Sequence, residues 1–228
     1  NRYCASMPET IPHPFSQRTP LSETERKKRA SEFLKFMKER RTVRDFSDRP
    51  VDRSVIEDCI AAASRAPSGA NCQPWTFAAV SDPAIKKEIR MQAEKVEADF
   101  YTKEATRNWV KDLEHLGTIP SKPFLETAPW LIVIFSQLYG LGPAGDKTKH
   151  YYVTESVGIA TGMLITDLHH AGLATLTYTP ANMRFLNRTL DRPANEKPFM
   201  ILVTGHPSDD ARVPAIDKKP VDQYARFI

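Results

Sequence analysis

Apolar positions along this chain follow two patterns, one helical and one of unbroken short runs. Behind Ser22, Ala30, Phe33, Leu34 and Met37 recur at helical spacing, and Ser22 with Glu25 forms a capping-box pair. Asp52 suits the N-cap of a second helix, with an apolar face of Val55, Ile56, Cys59, Ile60 and Ala63. That face makes Cys59 a core residue, and Pro67 ends the helix. Four runs lack clean alternation: WTFAAV (75–80), LIVIF (131–135), LATLTY (173–178) and FMILVTG (199–205). They are predicted as strands covered on both faces. Helices are predicted between them at 84–93, at the very polar 94–116, and at 151–170. The last places Val157, Ala160, Leu164 and Leu168 on one face, while Gly158 and Gly162 leave a groove for close helix packing. Residues 1–21 hold four prolines and no periodicity, which reads as an extended arm. The C-terminal stretch VPAIDKKPVDQYARFI has no strong pattern and reads as frayed or docked on a partner. No repeat or linker divides the rest, so the fold class is α+β with a single domain over 22–228.

Composition narrows the function classes. Hydrophobic content of 41% and charged content of 26% are ordinary for a globular protein. The net charge of +4 is mild and dispersed, unlike the dense basic stripe of a nucleic-acid binder. Cys4, Cys59 and Cys72 are odd in number and lack metal-ligand spacing, which argues against a disulfide framework or a zinc site. No apolar run is long enough to span a bilayer, and NRYCASMPET has no signal-peptide core. The expectation is a soluble, cytoplasmic chain, with an anchor ahead of residue 1 left open. The Asn187-Arg188-Thr189 sequon reads as chance.

RRTVRDF places Arg40, Arg41 and Arg44 within five positions. Guanidinium groups that close repel one another unless an anion sits among them, and phosphate oxygens suit their forks. Alone, the cluster also reads as a solvated basic face at a helix end. GxGxxG and GxxxxGKS stretches are absent, so a nucleotide would be held by side chains. APSGANCQPW (66–75) reads alone as an ordinary turn. In EADFY, Glu97 and Tyr101 stand four apart on one helix face, and Lys122 follows after a loop with Gly117 and Pro120. By composition these three read as solvated surface residues.

Taken in order, RRTVRDF, APSGANCQPW, TYTP and GHPS resemble the nitroreductase superfamily of FMN proteins, from about Ile11 onward. Within it the chain is similar to the iodotyrosine deiodinases. The resemblance implies a nitroreductase-like fold, a central mixed β-sheet flanked by helices, in an intertwined homodimer with two FMN sites at the interface. Arg40, Arg41, Thr42, Val43 and Arg44 would hold the FMN phosphate and ribityl chain. Lys218 aligns with a family position that is usually Arg, and supplies charge without the planar fork. Pro67, Ser68 and Gly69 would lie along the isoalloxazine ring, with Gly69 permitting close approach. Thr177, Tyr178 and Thr179 would flank the flavin. Thr179 matches the donor toward flavin N5 that favours single-electron steps, and is the residue assigned a catalytic role; no metal is implied.

The same resemblance assigns a substrate grip. Glu97 would meet the ammonium of a zwitterion, Lys122 its carboxylate, and Tyr101 would donate to that carboxylate. The N–H of Ala70 would meet the phenolate oxygen, which an ortho iodine favours by acidifying the phenol. General nitroreductases lack this insert, which implies a lid over about 94–124, and the tail over about 207–228 would dock on the partner subunit. Asn71 stands where His is usual, and TIPSKPF lacks the usual Trp before Lys122. The implied activity is FMN-dependent reductive dehalogenation of 3-iodotyrosine and related halotyrosines, releasing halide and tyrosine. An external NAD(P)H-linked donor would re-reduce the flavin. The alternatives are a broad-specificity NAD(P)H-dependent nitroreductase or flavin reductase, and a non-catalytic halotyrosine- or FMN-binding protein. Cys72 reads as a small loop residue, Trp75 and Trp109 as packing, and His169 and His170 as a helix end.

Overall fold

The computed structural model describes residues 20–102, 108, 111, 118–142 and 145–228. Most of the expected arm and the middle of the expected lid, with Trp109, lie outside these residues. The described residues divide into a unit ending at Glu39 and a unit from Arg40 to Ile228. The first contains α1 (Glu23–Glu39), where Ser22 Oγ accepts from the Glu25 N–H at 3.2 Å, as the capping pattern predicts. None of its residues is buried, and Phe33 and Leu34 are more than half exposed.

The second unit is built on a sheet. Its strands are β1 (Trp75–Val80), β2 (Trp130–Gln137), β5 (Ala174–Tyr178) and β6 (Glu196–Gly205), in the order β1-β2-β6-β5. All four predicted strands are present. The sheet is antiparallel at every strand pair. Among the described residues parallel pairing is confined to the bridge between Thr42 and Thr175, so the mixed sheet that was expected reduces to that one bridge. The physical reason is that an unbroken apolar run reports burial on both faces, and both faces of an antiparallel sheet are covered here. A short hairpin, β3 (Tyr139–Leu141) and β4 (Lys147–Lys149), was not predicted, since strands of three residues are too short to carry a periodic pattern.

On one face lie α2 (Arg53–Ala63) and α5 (Val153–His170), where Ile56, Cys59, Val157 and Leu164 pack with Ile132, Ile134 and Leu202. Asp52 caps α2, accepting from the Ser54 N–H at 2.8 Å. On the other face lie α3 (Pro83–Thr102), α4 (Phe124–Thr127) and α6 (Phe185–Thr189), where Ile89, Leu125 and Leu186 pack with Leu131, Val133 and Val203. Each large apolar side chain buried this way stabilises the fold by about 1.5–3 kcal/mol. The pleat matters for the site: Leu176 and Tyr178 of β5 turn toward the α3 side, while Thr177 between them is exposed. The two helices expected at 84–93 and 94–116 begin as one, since α3 runs unbroken through Glu97 and Tyr101.

Candidate functional site

The last turns of α3 and the residues before α4 form a charged clamp. Glu97 is 8% exposed and Lys122 is 4% exposed, so neither is a solvated surface charge. Lys122 Nζ lies 3.5 Å from Glu97 Oε2. It also stands 5.5 Å from the centre of the Tyr101 ring and 5.8 Å from that of Tyr178, over both rings. Tyr178 Oη donates to Glu97 Oε1 at 3.3 Å. Burial lowers the Lys122 pKa; Glu97 opposes this, and the nearby Arg44 adds to it. Removing one member would leave the other buried and uncompensated.

A second charged stripe holds Lys122 in place. Lys86, Arg90, Glu94 and Glu97 fall at helical spacing along one side of α3. Glu94 Oε1 accepts the Lys122 backbone N–H at 2.6 Å and the Arg90 Nε–H at 2.8 Å. Arg90 also donates to Glu126 at 3.2 Å. The Lys86 ammonium donates to the carbonyls of Glu126, at 2.9 Å, and Ala128, at 2.8 Å, which fixes the end of α4. Burial works against the Glu94 charge, but the Lys122 N–H, Arg90 and Ser121 outweigh it and hold the carboxyl below its usual range. Sequence reasoning did not single out Lys86, Arg90 or Glu94. The signal was present as a charged stripe at helical period, on a helix that looked polar throughout.

The arginine segment is pinned to the sheet. Val43 N–H donates to Thr175 O at 3.2 Å, along the edge of β5. Further on, Ser47 N–H donates to His206 O at 3.0 Å, and Ser208 N–H to Asp45 O at 2.9 Å. Arg40, Arg41 and Arg44 are half-buried, and among the described residues none of them has a carboxylate within ion-pair reach. Arg41 donates to the carbonyl of Pro214. Burial lowers the Arg44 pKa, while Asp45 and Tyr101 raise it. Arg44 is therefore in the electrostatic neighbourhood of both Tyr101 and Lys122. A cavity of about 450 Å³ opens beside it, lined also by Phe46, Pro123, Phe124, Thr127 and Arg212. Half-buried guanidiniums without carboxylate partners fit a multi-oxygen anion such as the phosphate of FMN. Lys218 is exposed on the tail, away from any described hydrogen bond or ion pair.

The Ser-Gly loop is strained and tightly tied. Ala70, Asn71 and Gln73 have φ of 49°, 54° and 47°, in the left-handed region. Such conformations cost on the order of 1–3 kcal/mol each and cluster at functional sites. Ser68 holds the turn: its carbonyl accepts from Asn71 N–H at 3.0 Å and its Oγ from Gln73 N–H at 2.9 Å. Gly69 pairs with Tyr151 and donates its N–H to Ser156 Oγ at 3.3 Å, at the start of α5. A Cβ at Gly69 would lie 2.7 Å from the Tyr151 carbonyl oxygen, so packing within the chain already requires the glycine. Pro67 and Ala70 are exposed.

The structure thus brings Glu97, Tyr101, Lys122, Tyr178 and Arg44 together. It sets Thr42 and Val43 along β5, leaves Thr177 and Thr179 exposed at its end, and ties Gly69 to α5. Cys59 is inert, its pKa pushed up to about 12 by burial and by Asp167, and Cys72 is half-buried in the loop. Among the described residues no cluster of His, Cys, Asp and Glu could hold a metal, and no helix is long and apolar enough to cross a membrane.

Residues 37–206 match the Nitroreductase family. The chain is 47% identical over 212 residues to an iodotyrosine deiodinase of Haliscomenobacter hydrossis, covering 93% of this chain and 94% of that protein. It is 44% identical over 217 residues to human iodotyrosine deiodinase 1, covering 94% of this chain and 75% of that protein. Among solved structures, it is similar to oxidized iodotyrosine deiodinase bound to FMN and 3-iodo-L-tyrosine. That likeness has a TM-score of 0.71 and 29% identity, covering 86% of this chain and 100% of that one. A nitroreductase-like protein from Streptococcus mutans, at TM-score 0.64 and 18% identity, shares the fold.

Proposed function

Starting from a chain that belongs to the nitroreductase family, we propose that it is an FMN-dependent reductive dehalogenase of 3-iodotyrosine and related halotyrosines. The observation that carries this reading is the buried Glu97–Lys122 pair with Tyr101 beside it. An anion and a cation facing each other in a protected site are the complement of a zwitterion. The substrate ammonium takes the place of Lys122 at Glu97, and its carboxylate takes the place of Glu97 at Lys122, with Tyr101 donating. Hydrogen bonds to charged groups contribute about 1.5–3 kcal/mol each, enough to discriminate an amino acid from a plain phenol.

Arg40, Arg41 and Arg44, with Thr42 and Val43, hold the FMN phosphate and ribityl chain, and Lys218 adds charge. Pro67, Ser68 and Gly69 support the isoalloxazine ring, with Thr177 and Thr179 at its edge. When bound, FMN supplies the two electrons that, with a proton, convert the aryl iodide to arene and iodide. Thr179 presents a hydroxyl toward flavin N5 and favours delivery in single-electron steps. The Ala70 N–H binds the phenolate oxygen, a role that the exposure of Ala70 supports. Residues of about 94–124 form a lid that excludes water over the bound ligand.

The chain works as a homodimer that completes each site from two subunits. Two features support this. Gly158 and Gly162 are exposed on α5 with nothing within 4 Å of a Cβ placed there, and Tyr224 and Phe227 of the tail are 67% and 92% exposed. An NAD(P)H-linked donor re-reduces the flavin. The test is anaerobic reduction of the flavin-loaded protein, then addition of 3-iodotyrosine. Flavin reoxidation with one iodide per flavin supports the reading. Flavin that stays reduced, yet reoxidises with a nitroaromatic, overturns it in favour of a general nitroreductase.

A further inference from the structure

Tyr178 was grouped with its neighbours in TYTP as a flavin contact, yet its side chain turns to the other side of β5. It is 8% exposed and packs in the α3-side core. Its ring meets Phe124 edge-on, with centroids 5.6 Å apart and planes at 80°. Lys122 Nζ sits 5.8 Å from the ring centre. The phenol is therefore held in one orientation, and its hydroxyl is aimed at Glu97 Oε1, 3.3 Å away. The other carboxylate oxygen, Oε2, faces Lys122 at 3.5 Å.

Glu97 thus divides its two oxygens between a fixed neutral donor and an exchangeable cation. When a ligand carboxylate draws Lys122 away, the Tyr178 bond is the contact that stays. Without it, a carboxylate on a side chain with three rotatable bonds would be free to turn. Burial and the neighbouring Glu97 push the Tyr178 pKa well up, so the hydroxyl remains a donor throughout the working range.

We infer that Tyr178 is a positioning residue that holds the Glu97 carboxylate to receive the substrate ammonium, and so sets the preference for amino-acid phenols over plain phenols. This rests on the zwitterion reading of the clamp. It places the middle residue of the strand-end motif in substrate recognition and leaves its two threonine neighbours on the exposed side.

The test is Tyr178→Phe, which keeps the ring against Phe124 and Lys122 and removes only the hydroxyl. Flavin-loaded wild type and variant are titrated by calorimetry with 3-iodotyrosine and with 2-iodophenol, and flavin per subunit is measured alongside. The expected result is an approximately tenfold loss of 3-iodotyrosine affinity, with 2-iodophenol affinity and flavin content unchanged. In a Glu97→Gln background the same substitution should cost less than about twofold, since the two residues act through one contact. Equal losses for both ligands, unchanged affinity for 3-iodotyrosine, loss of flavin, or a full additional loss in the Glu97→Gln background would each overturn the inference. A wild type that binds 2-iodophenol but not 3-iodotyrosine would instead overturn the substrate reading beneath it.

Discussion

Glu97 and Lys122 face each other across 3.5 Å, whereas Arg40, Arg41 and Arg44 have no carboxylate within ion-pair reach among the described residues. The clamp is buried and the arginines are half-buried, but the difference that sets what each region can bind is one of charge sign. The clamp carries one charge of each sign and neutralises itself; the arginine segment carries charges of one sign and leaves them over. A self-neutral pair can open to a net-neutral zwitterion without leaving a charge unmatched. A cluster of half-buried cations is matched only by an anion. The two regions therefore divide recognition: amino-acid substrate at one, cofactor phosphate at the other.

The sharpest way to break this contrast is Lys122→Ala. Loss of a charged contact to the substrate carboxylate should weaken 3-iodotyrosine binding by about 10- to 150-fold, while binding of an iodophenol without the amino-acid end changes little. Similar losses for both ligands would remove the zwitterion from the account. On the cofactor side, Thr179→Ala should slow halide release by about tenfold or more and spare nitro reduction, if one hydrogen bond toward the flavin separates the two chemistries. Equal slowing of both would leave Thr179 without that role. Gly69→Ala forces a Cβ to within 2.7 Å of the Tyr151 carbonyl oxygen, a backbone atom with little freedom to yield. Thermal melting should register a loss of about 1–3 kcal/mol, as for overpacking elsewhere. A variant of unchanged stability would show that the loop and α5 move together.

The smallest effect concerns the latch on Lys122. Glu94→Gln keeps an acceptor for the Lys122 N–H and removes the charge that Arg90 meets, so substrate affinity should fall by only about two- to fourfold. The sign of its pH dependence follows from the lowered Glu94 pKa. A carboxyl whose folded pKa is depressed contributes stability above its unfolded pKa, about 4.3 for Glu, and loses it as pH falls through the lower folded value. Acid melting curves of wild type should therefore steepen relative to Glu94→Gln below about pH 4.3, and converge with them at still lower pH. Parallel curves would show that Arg90 and Glu94 do not hold this segment.

How legible this was in the sequence differs between the same two regions. The β-rich runs predicted all four sheet strands, and Asp52 and Ser22 predicted their caps, because these signals are local. Strand direction was not legible, since residues 131–135 look the same in any sheet covered on both faces. The β3–β4 hairpin was missed because strands of three residues leave no periodic mark. In the site, Glu97, Tyr101 and Lys122 looked solvated by composition and were singled out only by resemblance. The burial of Glu97 and Lys122 goes with the 118–128 segment folding back onto α3 through Lys86, Arg90 and Glu94, a long-range event that no local window records. Gly69 was read for close approach, but the atom it approaches within the chain is Tyr151 O, at the start of a helix 84 positions after Gly69 in the sequence. Tyr178 was read with its neighbours, although the pleat places alternate residues on opposite faces.

The central claim is that a self-neutral clamp reads the zwitterion. It is tested most directly by comparing the affinity of the flavin-loaded protein for 3-iodotyrosine with that for its N-acetyl amide, which keeps the iodophenol and removes both charges. The account predicts that the amide binds about 100-fold more weakly or worse, because contacts at Glu97 and Lys122 are both lost. Equal affinity for the two compounds would contradict it, and would leave the Glu97–Lys122 pair as a structural contact alone.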